Sequence, residues 1–169
     1  MDKDFLISEI ALSDAESLRE MLYLAIHVPE GETAPPDEII YSPGLKPYWN
    51  EWGREGDLGF KCEARETGRT IGMAWLRLLS GDGKGYGWVD DAIPELSMAV
   101  VPDCRGKGIG SAMLDALLKQ AEARFPAVSL SVSESNRAFD LYLRFGFEVL
   151  SIDEGAILMK KTLSQGRTA

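Results

Sequence analysis

"VVPDCRGKGIGSAMLDALLKQAEARF", residues 100–125, places glycines at the alternate positions 106, 108 and 110 directly ahead of a long amphipathic pattern. Ile109, Ala112, Met113, Ala116, Leu117 and Ala121 recur at helical spacing, and Pro126 follows, so a helix is expected over 108–124. Upstream, "PELSMAVV" (94–101) is a mostly apolar run of strand length. A strand, a glycine turn and a helix together make an anion cradle. The amide N–H groups of the first helical turn have no helical partners, and the helix dipole adds about half a positive charge at that end. Glycines can also serve only to make a tight turn, but three in alternation after Arg105 favour phosphate binding. Two familiar phosphate loops do not fit. A dinucleotide fingerprint needs Gly or Ala where this chain has Ser111 or Met113, and a nucleoside-triphosphate loop needs Lys-Ser/Thr where Ser111 and Ala112 follow Gly110.

Outward from this stretch the chain alternates strand and helix signals. A strand is expected at 5–10 and a helix at 13–27, with Ala15, Leu18, Leu22, Ala25 and Ile26 on one face and Ser13 and Glu16 at capping-box spacing. Prolines and glycines break regular structure from Val28 to Gly53, leaving room for short helical turns at 35–42 and 46–52. Residues 59–66 and 70–79 read as an antiparallel hairpin turning at Gly68, followed by a glycine-rich loop over 80–88. After the central helix come a strand at 127–133, a short helix at 136–147 ending on Gly146, and two strands, "FEVLSI" and "AILMKKTL". No repeat or linker interrupts this order. The expectation is one mixed α/β domain over 1–163, with a loose tail at 164–169.

Composition narrows the function classes. The chain has 169 residues, 45% hydrophobic and 27% charged, enough for one core that buries roughly 70% of its unfolded surface. Cys62, Cys104 and the single histidine, His27, match no zinc spacing, so no metal is expected. With 18 Lys and Arg against 27 Asp and Glu, a net charge of −9 argues against a nucleic-acid partner and suits a cationic substrate. No apolar run approaches the ~20 residues of a membrane span, and the acidic start "MDKDFLISEI" lacks the features of a secretory signal; the expected setting is cytoplasmic, with no membrane partner.

The glycine stretch also resembles the acetyl-CoA signature of the GCN5-related N-acetyltransferases, Arg/Gln-x-x-Gly-x-Gly/Ala, filled here by Arg105, Gly108 and Gly110. "NRAFDLYLRFGF" is similar to the later motif of that family through Asn136, Ala138, Tyr142, Gly146 and Phe147. With their strands the two motifs cover residues 94–149, about a third of the chain, and the first 60 residues carry no specific match. The resemblance implies a central, mostly antiparallel sheet with two splayed strands and flanking helices. It also implies an enzyme that moves an acetyl group from acetyl-CoA directly to a primary amine of a small molecule or a peptide. A catalytically silent acyl-CoA sensor is the alternative, and relatives are often homodimers.

On that resemblance, the strand segment Met98, Ala99 and Val100 would hold the pantetheine arm through the backbone of Met98 and Val100. The N–H groups of Gly106, Lys107, Gly108, Ile109, Gly110 and Ser111 would hold the pyrophosphate. Arg105 and Lys107 would add charge or simply be solvated. Asn136 would bond the arm, cap its helix, or both. Tyr142 is expected as the general acid for the leaving thiolate, with a packing role as the alternative, and the N–H near Met98 as the oxyanion donor. Glu95 is expected as the general base, or else as a carboxylate orienting the substrate ammonium, with Ser97 acting through water and then His27 as lesser alternatives. Tyr41, Tyr48, Trp49 and Trp52 with Asp37, Glu38 and Glu51 form an aromatic and acidic cluster that would line a cationic amine site or pin an irregular segment to the core. The loop from Gly81 to Gly87 is expected as either a rim of the site or a long hairpin turn.

Overall fold

The structure, a computed structural model, describes residues 3–164; of the expected tail, residues 165–169 lie outside the described residues. Seven strands form one mixed sheet in the order β1-β2-β3-β4-β5-β7-β6. They are β1 (Phe5–Glu9), β2 (Leu58–Ala64), β3 (Thr70–Arg77), β4 (Glu95–Val100), β5 (Ala127–Ser133), β6 (Glu148–Asp153) and β7 (Ala156–Thr162). The helices are α1 (Ala15–Ala25), α2 (Ile109–Ala121) and α3 (Ala138–Arg144). Every neighbouring pair runs antiparallel except β4 and β5, which are parallel. Mixed pairing of this kind requires a crossover between β4 and β5, and α2 supplies it.

α2 buries Ile109, Met113, Leu114, Leu117, Leu118 and Ala121. Relative to the expected stripe the buried face is rotated, so that Leu114 and Leu118 replace Ala112 and Ala116: the larger side chains remove more apolar surface from water. At the chain's start, Ser13 lies inside a 3₁₀ turn, Leu12–Asp14, rather than at a helix cap. Asp14 Oδ2 instead accepts the Ala11 N–H at 2.7 Å, and α1 begins at Ala15. α3 ends as expected on Gly146, whose φ of 90° only glycine adopts without strain, with the Phe147 N–H bonded back to Tyr142 O at 3.0 Å.

Two features of the sheet position the site. First, β4 and β5 pair only at Glu95↔Ser129, with the Ser129 N–H donating to Pro94 O at 3.0 Å. β5 turns its full length to β7 instead, so from Leu96 onward a gap opens between the two halves of the sheet. Second, the two faces of β4 meet different neighbours. Gly72, the register partner of Val100, lies against Met113 and Ile109 of α2, so the even-numbered residues of β4 face α2. Glu95 and Ser97 face the other way. There Trp75, partner of Ser97, donates its indole N–H to Tyr48 O at 2.8 Å, and α1 closes the same layer through the bond from Arg19 to the Tyr41 hydroxyl at 2.8 Å.

Candidate active site

The gap widens into a cleft of about 1320 Å³ running from the glycine loop to Glu95. At the loop end, Gly106 and Gly108 have φ values of 75° and 79°, which glycine alone adopts without cost, and nothing lies within 4 Å of where their side chains would stand. The backbone is thus bare toward the cleft. Gly108 caps α2 and brings no side-chain hydrogen bond, so the N–H groups of the first turn remain available to an anion. Gly110 serves differently: its missing side chain leaves ordinary contact distance to Leu141 and Met98. Arg105 lines the cleft and donates through Nε to Val100 O at 3.0 Å, tying the loop to the end of β4. Lys107 is exposed and is not among the residues that line the cleft.

Along the gap, backbone direction follows from alternation. Pro94 O faces β5 and the Val101 N–H bonds Ile71 O on the β3 side at 2.9 Å. The N–H and C=O groups of Met98 and Val100 therefore face the gap, and those of Ala99 face β3. Across the gap, Asn136 Oδ1 accepts the Ala138 N–H at 2.9 Å just ahead of α3, whose N-cap is Arg137, and Asn136 also lines the cleft. Tyr142 projects from α3 to the cleft, packed edge-on against Phe147 with ring centroids 5.7 Å apart. Burial pushes its phenol well above the ordinary tyrosine range, so it keeps its proton.

At the other end stands Glu95, only 3% exposed. Its Oε1 accepts from the Tyr48 hydroxyl at 2.8 Å and from the Gly87 N–H at 2.7 Å. Its Oε2 has no hydrogen-bond partner among the described residues. Burial raises the carboxyl above its ordinary range, against the lowering effect of the hydrogen bonds from Tyr48 and the loop amides. Tyr48 is held in turn. Its hydroxyl accepts the Tyr86 N–H at 2.7 Å, and burial followed by the adjacent Glu95 charge drives its phenol up, so it stays a donor. The segment carrying Tyr48 is clamped by Arg77, the cross-strand partner of Glu95. Its guanidinium is 1% exposed, forks onto Asp57 at 3.0 and 2.8 Å, and donates to the carbonyls of Pro47, Asn50 and Glu51. Trp52 stacks over that guanidinium at 5.6 Å.

The loop 81–87 is neither a free rim nor a plain turn. It lies on the carboxylate: a side chain at Gly85 would overlap Glu95 Oε2 and the Tyr48 hydroxyl, and one at Gly87 would stand 2.9 Å from Glu95 Oε1. The Ser129 hydroxyl fastens it by donating to Gly87 O at 2.6 Å. Of the aromatic cluster, only Tyr48 reaches the cleft. Tyr41 is half exposed, bonded to Arg19 and packed edge-on with Trp49 at 5.5 Å, while the Trp49 indole donates to Ile40 O at 2.9 Å. These contacts pin the irregular segment onto the core, and Asp37, Glu38 and Glu51 are exposed outside the cleft. His27, just past α1, lies on the cleft wall and bonds Ser135 at 2.8 Å; Ser97 lines the cleft half-buried. The Arg77–Asp57 clamp and the glycine contacts on Glu95 are not foreseen from the sequence. The signal for the latter is alternation again, with Gly83, Gly85 and Gly87 ahead of Glu95.

Known proteins resemble this chain in family profile and in fold. A profile of the acetyltransferase (GNAT) family matches residues 22–147. Over 92 residues the chain is 37% identical to the mycothiol acetyltransferase of Propionibacterium freudenreichii, a match covering 53% of this chain and 28% of that protein. The chain thus matches well under half the length of that relative. The fold is similar to the ribosomal-protein-S18-alanine N-acetyltransferase of Escherichia coli, with a TM-score of 0.64, 21% identity, and 98% of each chain covered. It is also similar to the PaiA N-acetyltransferase of Thermoplasma acidophilum in complex with coenzyme A, with a TM-score of 0.65, 19% identity, and 95% and 99% of the two chains covered.

Proposed function

The chain belongs to the acetyltransferase (GNAT) family, and from that premise we propose that it transfers the acetyl group of acetyl-CoA directly to a primary amine, of a small molecule or a peptide, with both bound in one cleft. The observation that carries this reading is the continuity of the cleft, lined at one end by Gly106 and Gly108 and at the other by Glu95. The residues present fit acetyl-CoA. The cradle offers N–H groups to the diphosphate, with Arg105 beside them, and the gap-facing backbone of Met98 and Val100 offers sheet-like partners to the pantetheine amides.

Acetyl-CoA supplies an acetyl group activated as a thioester. An alkylammonium, with a pKa near ~10.4, must first lose a proton, and Glu95 Oε2 accepts it; burial narrows the gap between the two pKa values and makes the carboxylate a better base than an exposed one. The Met98 N–H, facing the gap, donates to the developing oxyanion in this reading. Tyr142 gives its proton to the sulfur as the C–S bond breaks and the N–C bond forms. The second proton shed by the nitrogen restores the phenol, so an ammonium and a thioester become an amide, a thiol and one released proton.

Titration calorimetry of acetyl-CoA into the wild type and Gly108→Glu tests the cradle. The glutamate adds a negative charge and a strained φ at the anion site, and binding is expected to weaken by about a hundredfold or more, equivalent to ~2.7 kcal/mol. Release of free CoA thiol with primary amines then tests the chemistry. Binding without thiol release from any amine would leave an acyl-CoA sensor in place of an enzyme.

A further inference from the structure

Beside the cleft Glu95 holds a buried carboxylate oxygen with no hydrogen-bond partner among the described residues, and many of the side chains lining the cleft are apolar. Leu22 of α1, then Ile26, Val28, Pro35 and Leu45 beyond that helix, line the same cleft as Glu95. Three polar side chains that line the cleft are already paired. The Tyr23 hydroxyl donates to Pro35 O at 2.7 Å, His27 Nε2 bonds Ser135 Oγ at 2.8 Å, and the Tyr48 hydroxyl donates to Glu95 while accepting from Tyr86. Ser97 lines the cleft on the same face of β4 as Glu95, and Ser131 lines it from β5. Glu95 Oε2 is left over, on a side chain 97% buried by its 3% exposure. An unpartnered carboxylate oxygen in such a place is costly unless a donor arrives. One further carboxylate, Glu30, lines the cleft, and it is exposed. Asp37, Glu38 and Glu51, which would have made the site polyanionic, lie outside it.

We infer that the acceptor carries a single ammonium on an apolar alkyl or arylalkyl body and enters nitrogen-first, its ammonium on Glu95 Oε2 and its body along the α1 wall. The inference rests on the reading of Glu95 as the base end of the cleft. A second or third ammonium drawn into the cleft finds only the exposed, solvent-screened Glu30 among the lining carboxylates and otherwise stays unpaired at a cost, which disfavours polyamines and aminoglycosides. An apolar body gains instead by leaving water.

The test compares kcat/KM for propylamine, butylamine, pentylamine, hexylamine and phenethylamine with that for spermidine and kanamycin, at saturating acetyl-CoA. Each added methylene is expected to raise kcat/KM about fourfold, the equivalent of ~0.8 kcal/mol per buried methylene, with spermidine and kanamycin at least tenfold below hexylamine. Val28→Asp, which adds a carboxylate to the wall outside the catalytic groups, is expected to narrow or reverse that preference. In parallel, hexylamine is titrated calorimetrically into the wild type and Glu95→Gln, each saturated with coenzyme A; binding to the first and not the second is expected. A flat chain-length series, or spermidine or kanamycin turned over as well as hexylamine, overturns the acceptor class and leaves acetyl transfer standing. If no amine releases thiol, the catalytic reading falls, and the hexylamine titration still decides the acceptor class: no binding overturns it, and binding that needs Glu95 sustains it.

Discussion

The two ends of the cleft are built on different principles. The cofactor end is made of backbone: bare N–H groups at Gly106 and Gly108, and the gap-facing amides of Met98 and Val100, all drawn from residues 98–111. The acceptor end is made of side chains from four separate segments. Glu95 comes from β4, Tyr48 from the irregular stretch after α1, the apolar wall from α1 and the residues beyond it, and the covering loop from 81–87. A backbone site tolerates side-chain change but not a change of φ. A side-chain site fails when any one partner moves.

Glu95→Gln breaks the acceptor end at its chemistry. It keeps an acceptor for Tyr48 and Gly87 but cannot take a proton, so kcat/KM at neutral pH is expected to fall by about 10²–10⁴ with acetyl-CoA affinity unchanged. In the wild type, kcat/KM should rise with pH as the buried carboxyl ionises, and that limb should vanish in the variant. Stability runs the other way. Because burial raises the carboxyl in the folded protein above its unfolded value, ionisation favours the unfolded chain. The wild type should therefore lose Tm relative to Glu95→Gln as pH rises from the unfolded carboxyl range through the raised folded value; parallel Tm curves would contradict a raised pKa.

Tyr142→Phe probes the meeting point of the two ends. A fall in kcat of about a hundredfold with calorimetric acetyl-CoA affinity unchanged marks a general acid, and equal kcat marks a packing residue. Gly85→Ala sharpens the contrast in stability. Its methyl overlaps Glu95 and Tyr48, and urea denaturation should show a loss of about 1–3 kcal/mol. The matched substitution Gly83→Ala meets only Pro47 at 3.9 Å and should cost a few tenths of a kcal/mol at most. Tyr41→Ala should matter least: loss of its edge contact with Trp49 costs ~1 kcal/mol of stability, and kcat/KM should stay within about twofold, because Tyr41 lies outside the cleft. A tenfold loss there would place the acceptor on the exposed aromatic cluster instead.

The same contrast explains what the sequence made legible. The strand-loop-helix unit and the α3 motif are local: Arg105, Gly108 and Gly110, or Asn136, Tyr142 and Gly146, sit within one turn or helix of each other, and their spacing is their geometry. Element order and nearly all boundaries follow from apolar periodicity. The start of α1 differs from the expected capping box because Asp14, not Ser13, stands at the N-cap position, and its carboxylate is drawn back to the Ala11 N–H. At the acceptor end, Tyr48 looked equivalent to Tyr41 and Trp49. Nothing local distinguishes a tyrosine that reaches a buried carboxylate 47 positions away from one that packs on its own segment. The glycines at 85 and 87 are small because of what they touch, and that neighbour is set by the sheet.

The single rung between β4 and β5 has a mechanical meaning. Two rigid ribbons, one carrying β1 to β4 and the other β5, β7 and β6, are joined like the arms of a compass at Glu95↔Ser129. When such arms open or close, points far from the joint travel furthest and the joint itself hardly moves. The glycine loop stands beyond the far end of β4, at the tip of one arm. Glu95 stands at the pivot, with Ser129 pinning the Gly87 carbonyl beside it, the place where any change in the angle between the arms would displace a side chain least.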